Sequence, residues 1–133
     1  MKNKWDTQIE KECAQVFSNL GWDIDQESVI ELEHQRYRPD ITLTYKGIVY
    51  GYVEVVGQFS FECLKRKKEQ INKLIEFSKT KLFILTEGES YDIFYDGKYV
   101  ATQTVPPSPE GVRAIRRLMA YYQKITEVTT ENE

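Results

Sequence analysis

Apolar residues recur along this chain at two periods. In DTQIEKECAQVFSNL, residues 6–20, Ile9, Cys13, Val16 and Leu20 return at helical spacing. Asp6 or Thr7 can cap that helix and Gly21 can end it. A strand is expected within 22–32, around ESVIELE, followed by a polar connection, EHQRYR, at 33–38. Residues 39–45 and 48–56 are rich in Thr, Tyr, Ile and Val and read as two strands joined at Lys46-Gly47. Residues 60–79 read as a second helix, with Leu64, Ile71, Leu74 and Ile75 as its apolar stripe. KLFILT, 81–86, is a short apolar run of buried-strand type, and YDIFYDGKYVAT, 91–102, is a hairpin on an Asp-Gly turn. PPSP, 106–109, breaks the chain. Ser108 as N-cap and Pro109 at the first helical position then start a last helix to about residue 124. The order α-β-β-β-α-β-β-β-α implies an α/β domain, one mixed sheet covered by helices, over residues 1–125. TEVTTENE, 126–133, reads as a disordered tail.

Side chains alternate along a strand. Tyr50, Tyr52, Glu54, Val56 and Gln58 therefore share one face of the second hairpin strand. Val49, Gly51, Val53 and Val55 share the other, more apolar face. On the preceding strand Asp40, Thr42 and Thr44 share a face. Simple pairing around Lys46-Gly47 sets Asp40 and Glu54 on neighbouring strands at one end of the sheet. Two carboxylates a few ångströms apart repel. A hard divalent cation such as Mg²⁺ removes that repulsion and keeps waters for a phosphate substrate. The plainer reading is that Asp40 caps a strand and Glu54 faces solvent on an edge.

Composition narrows the classes. The chain has 133 residues, 41% apolar and 29% charged, a globular balance. Its net charge of −3 argues against an indiscriminate polyanion binder, though not against a local basic face. No apolar run approaches the ~20 residues that span a bilayer, and MKNKWDTQIEKE lacks the apolar core of a signal peptide. Cys13 and Cys63 stand 50 residues apart without a CxxC or a neighbouring histidine, which reads as two reduced thiols in a cytoplasmic protein with no membrane partner. His34 is the single histidine, so a multi-histidine metal site and most Ser-His or Cys-His catalysis are excluded within one chain. No GxxxxGK[ST] or GxGxxG occurs.

Pro39-Asp40, then Glu54 fourteen positions on inside an aliphatic strand, resembles the PD-(D/E)xK nuclease superfamily. The likeness covers roughly residues 7–100. It includes an opening helix whose Glu10 stands eleven residues before Gly21-Trp22, the hairpin, the helix KEQINKLIEF at 68–77 and the strand KLFIL. The layout is similar to archaeal Holliday-junction resolvases and to the N-terminal nuclease domain of type I restriction-enzyme R subunits. The resemblance implies a restriction-endonuclease-like fold with an added C-terminal helix. It implies metal-dependent phosphodiester hydrolysis on DNA, with Mg²⁺ or Mn²⁺ held by Glu10, Asp40 and Glu54, and Gln70 in support. It also implies a possible homodimer or a larger restriction- or repair-type assembly.

One position departs from the family. The lysine expected two residues after Glu54 is Val56, which can neither orient water nor carry charge. Three readings stay open. The lysine has moved to the next helix, where Lys68 falls on the line of Leu64, Ile71 and Ile75. Alternatively Gln58 supplies a polar group from the same strand. In the third, the site is degenerate and the fold serves as a nucleic-acid or protein-binding module. Whether the chain is an enzyme turns on this position.

The remaining candidates are surface groups. LKRKK brings Lys65, Arg66, Lys67 and Lys68 to the start of the second helix. With Arg36, Arg38, Arg113, Arg116 and Arg117 they can track a phosphate backbone, or they form a solvated face balanced by Glu62, Glu69 and Glu76. Tyr91, Phe94, Tyr95 and Tyr99 can stack on bases or belong to core and dimer contacts.

Overall fold

The first helix, α1 (Lys4–Asn19), stops where the sequence says it should, for a visible reason. Gly21 takes φ 101°, a conformation that glycine adopts without strain. Its N–H bonds the carbonyl of Ser18, and Trp22 N–H bonds that of Phe17. This is a Schellman cap. It turns Trp22 inward, where the buried indole N–H donates to the Pro107 carbonyl at 2.9 Å. The computed structural model describes residues 4–32, 35–56 and 80–131, and between them Lys65, Glu69, Asn72, Lys73 and Glu76. Those five have helical backbone and are exposed, inside the span expected for the second helix.

Among the described residues eight strands follow: β1 (Asp23–Asp25), β2 (Ile30–Leu32), β3 (Gln35–Tyr37), β4 (Ile41–Tyr45), β5 (Ile48–Val55), β6 (Leu82–Thr86), β7 (Tyr91–Tyr95) and β8 (Lys98–Gln103). Six form one sheet in the order β1-β4-β5-β6-β7-β8, with β5–β6 parallel and the other pairs antiparallel. β2 and β3 pair only with each other. This is the expected restriction-endonuclease-like mixed α/β sheet. Three differences stand out. The polar stretch 33–38 holds a strand, β3, and the strand expected over 22–32 is two separate three-residue pieces. The last helix, α2 (Pro109–Glu131), continues past the expected end near 124. Ser108 caps it, its Oγ accepting from Gly111 N–H at 3.2 Å.

The main core lies on one face of the sheet. Ile41, Leu43, Val53, Val55, Leu82, Ile84 and Ile93 pack there against Cys13, Ala14 and Phe17 of α1 and Val112 of α2. β5 and β6 approach so closely at Gly51 that an added Cβ would meet the Leu82 carbonyl oxygen at 2.6 Å. The other face carries a smaller cluster, Tyr52 and Phe83, packed by Ile30, Tyr37 and Phe94.

A β-bulge decides which residues share that second face. Near the turn, Tyr45 pairs with Ile48 and Thr44 with Val49, the simple register. Beyond it Leu43 pairs with Gly51, Thr42 with Tyr52 and Ile41 with Val53, so Tyr50 is the extra residue. Plain alternation puts Tyr50 on the Tyr52 face. It joins the main core instead, with its ring 5.4 Å from Trp22. Without the bulge, Asp40 would stand opposite Val53 on the core face. With it, the register runs on to set Asp40 opposite Glu54. A one-residue slip moves a strand's whole set of side chains to the other face, and here it brings the two carboxylates together.

Candidate functional site

Asp40 and Glu54 meet at the end of the sheet where β5 and β6 finish. Both are buried, Asp40 at 5% and Glu54 at 1% exposure. Asp40 Oδ2 accepts a 2.8 Å hydrogen bond from the backbone N–H of Val55, which fixes its carboxylate against β5 beside Glu54. Glu54 Oε1 accepts a hydrogen bond from the Tyr37 hydroxyl on β3. A buried carboxylate is tolerated only when hydrogen-bonded or paired, and both groups satisfy that rule. The edge-of-sheet, solvent-facing reading of Glu54 is therefore wrong: β6 covers it, with Leu85 as its register partner.

Val56 follows on the same strand line. It is 2% exposed, and its N–H bonds the Thr86 carbonyl at 2.8 Å, extending the β5–β6 pairing past Glu54. The position where the resemblance leads one to expect a lysine is thus filled by a packed aliphatic group. Thr42, on the same face as Tyr52, has a buried hydroxyl without a hydrogen-bond partner.

Glu10 is also buried, at 9% exposure, on α1. It lies near enough to Cys13 to help raise the thiol pKa. Among the described residues, no three His, Cys, Asp or Glu side chains are close enough to hold a metal ion. Glu10, Asp40 and Glu54 are all buried polar groups, on α1, just before β4 and near the end of β5. Asp40 and Glu54 are the oxygen donors of this end, and each also holds a hydrogen bond, Asp40 from the Val55 N–H and Glu54 from the Tyr37 hydroxyl.

Two of the candidate cations, Arg36 and Arg38, flank Tyr37 beside this end. Tyr37 points inward, while its neighbours Arg36 and Arg38 are exposed. Arg36 lies 3.7 Å from Glu31, an exposed pair that contributes little. Arg38 donates through Nε and Nη2 to the Gln26 carbonyl, which orients the guanidinium at the rim. Lys65 is exposed and helical. Arg66, Lys67, Lys68, Gln70, Gln58, His34 and Cys63 lie outside the described residues. At the far end of the sheet Arg113 and Arg116 lie over the rings of Tyr45 and Tyr50. The hairpin aromatics divide: Tyr91 is core, edge-on to Phe17, Phe94 joins the smaller cluster, Tyr95 is half-buried and Tyr99 is exposed.

Sequence reasoning missed Tyr37. The one signal it offered was an aromatic residue inside an otherwise polar run, a weak mark of a strand with one buried side.

Cys13 is free and buried. Burial pushes its thiol up from 9.0 to about 11, against a hydrogen bond with Tyr91 that lowers it. Between those values the unfolded chain has already lost the thiol proton and the folded one has not. The unfolded state then binds fewer protons, so stability falls as pH rises from about 9 to about 11. The Tyr91 hydroxyl, pushed by burial to about 12, extends the loss upward. A Cys63→Ser variant is expected to be inert to a thiol reagent at pH 8 until denaturant is added. Rapid labelling of the folded variant would show Cys13 to be accessible.

No family model matches the chain, and no curated protein matches it. Among solved structures it is similar to a chain of the DrdV-DNA complex determined by cryo-EM, at 16% identity and a TM-score of 0.48. The match covers 73% of this chain and 9% of that one. No helix among the described residues is long and apolar enough to cross a membrane.

Proposed function

We propose that this chain is a restriction-endonuclease-like domain that binds DNA and no longer hydrolyses it. The observation that carries the reading is the state of the catalytic end. Asp40 and Glu54 are retained, buried and opposed, yet Val56 occupies the lysine position and Tyr37 holds Glu54. Hydrolysis needs a charged or polar group in reach of the attacking water. Among the described residues the strand supplies an aliphatic one. Binding needs less: Arg36, Arg38 and Lys65 are exposed, and cations of this kind recognise phosphates without reading bases.

A second reading is favoured by the carboxylate pair itself. Two buried acids set opposite one another are expensive to keep without a use. In that reading Tyr37 releases Glu54, a lysine from 65–68 replaces the missing one, and Mg²⁺ or Mn²⁺ would supply the Lewis acid for phosphodiester hydrolysis.

Fluorescence anisotropy on duplex and branched DNA, paired with cleavage assays in Mg²⁺ and Mn²⁺, separates the two. The expected result is salt-dependent binding and intact DNA. An Arg36→Ala/Arg38→Ala variant should bind more weakly on every sequence, with the salt slope reduced by about one for each phosphate no longer neutralised. Cleavage that disappears in Asp40→Ala would establish the live enzyme instead. Absence of binding would turn the search to a protein partner.

A further inference from the structure

A second groove lies at the opposite end of the sheet, with a cavity volume of about 460 Å³. Its walls are the β7–β8 turn, the start of β6 and the middle of α2, and it shares no residue with the Asp40–Glu54 end. The turn is held rigidly. Asp96 and Gly97 both take positive φ, 53° and 78°, as a two-residue hairpin turn requires. The Asp96 N–H also bonds the Lys81 carbonyl at 2.9 Å, which ties the turn to β6. Tyr95 and Lys98 are direct register partners, so both side chains leave the sheet on the same face. That face is the one α2 covers.

The lining combines cations with aromatic and apolar side chains. Lys81, Lys98 and Arg116 contribute three positive charges against the single carboxylate of Asp96. Asp96 is 3.9 Å from Lys81 in an exposed ion pair, a contact worth little in water and open to competition. Arg116 is oriented by the Tyr50 ring, 4.6 Å from its guanidinium carbon. Tyr95 and Tyr122 supply rings, and Met119 and Ala120 an apolar wall. The volume suits a small molecule rather than a lone oxyanion, since ligand pockets run to roughly 300–1,000 Å³. A net positive lining selects phosphate, and a ring-bearing wall selects a planar base.

We propose that this groove binds a nucleoside 5′-phosphate, with Lys81, Lys98 and Arg116 on the phosphate and Tyr95 and Tyr122 on the base. The same chemistry is offered by a free nucleotide and by the phosphorylated 5′ end of a DNA strand. The proposal does not depend on DNA binding at the carboxylate end.

Calorimetry on the full chain tests it, with dAMP, deoxyadenosine, inorganic phosphate and a 5′-phosphorylated oligo-dA as probes. Saturable dAMP binding is expected, with deoxyadenosine and inorganic phosphate each weaker by about tenfold or more. Lys98→Gln and Lys81→Gln change exposed side chains and should each weaken dAMP about tenfold. Lys73→Gln, elsewhere on the surface, should not. Both lysine variants should still bind a duplex without terminal phosphates as the wild type does, which separates this groove from the carboxylate end. An oligonucleotide that binds more tightly than dAMP assigns the strand end, and a weaker one assigns the free nucleotide. Absence of dAMP saturation overturns the proposal, as does dAMP affinity unchanged in Lys98→Gln.

Discussion

Tyr37→Phe is expected to destabilise the protein by about 1.5–3 kcal/mol, far more than removal of one oxygen from an ordinary half-buried tyrosine. The reason is its acceptor. Glu54 is the largest polar side chain among those fully buried, and the Tyr37 hydroxyl donates to its carboxylate. Hydrogen bonds to charged groups are worth more than neutral ones, and a buried carboxylate deprived of a donor bears its desolvation penalty. Equilibrium denaturation of Tyr37→Phe, Glu54→Gln and the double variant forms a cycle. It should yield a coupling energy of about 1 kcal/mol or more. Coupling near zero would mean that Tyr37 merely packs there. Function should move the other way. With the phenol gone, Glu54 loses the Tyr37 donor, and divalent-ion binding by calorimetry is expected to strengthen in Tyr37→Phe. A fall in stability with a rise in affinity, from one substitution, marks a site held shut by a structural contact.

The parts of the fold that are legible in the sequence are the long and strongly patterned ones. α1 announces itself by an apolar stripe at helical spacing and a glycine that can adopt positive φ. β6 announces itself by an unbroken apolar run, and β7–β8 by Asp-Gly. β1 and β3 have three residues each, too few for a period of two to be distinguished from chance. EHQRYR reads as a connection because its one aromatic residue, Tyr37, stands among polar ones. The bulge at Tyr50 leaves no signal in the sequence. Its consequence is large, because plain alternation puts Tyr50 beside Glu54, and only the extra residue places Asp40 there. Simple pairing around the turn thus sets Asp40 and Glu54 on neighbouring strands at one end of the sheet, but their direct opposition depends on the bulge. The same blindness hides Tyr37. A contact across 17 positions between a separate two-stranded hairpin and a sheet strand depends on tertiary packing, which local pattern does not encode.

Val56→Lys is expected to be tolerated where Val53→Lys is not, and the comparison tests whether the carboxylate end exerts a field that compensates a buried cation. Both valines are buried, at 2% and 0% exposure. Val53 belongs to the core face, with aliphatic Ile41 and Ile84 as its register partners on both neighbouring strands. A lysine there is an unpaired buried charge, and a loss of about 3–5 kcal/mol should abolish cooperative folding. Val56 is two residues from Glu54 on the same strand line, about 6.6 Å along it, and a lysine stem spans that distance. Its charge would meet Glu54 and Asp40, so the expected loss is about 1–3 kcal/mol. Thermal melts at neutral pH decide this directly, and equal collapse of the two variants would mean that the acids exert no compensating field. Chemistry requires a second change. Val56→Lys alone is expected to remain inactive, because Tyr37 still occupies Glu54. In Tyr37→Phe/Val56→Lys both obstacles are gone, and Mg²⁺- or Mn²⁺-dependent nicking of plasmid DNA is the expected outcome, abolished again by Asp40→Ala. A double variant that folds, binds divalent ions and leaves plasmid intact would mean that these two side chains are not what withholds hydrolysis, and would turn attention to Glu10 and to the residues that follow β5.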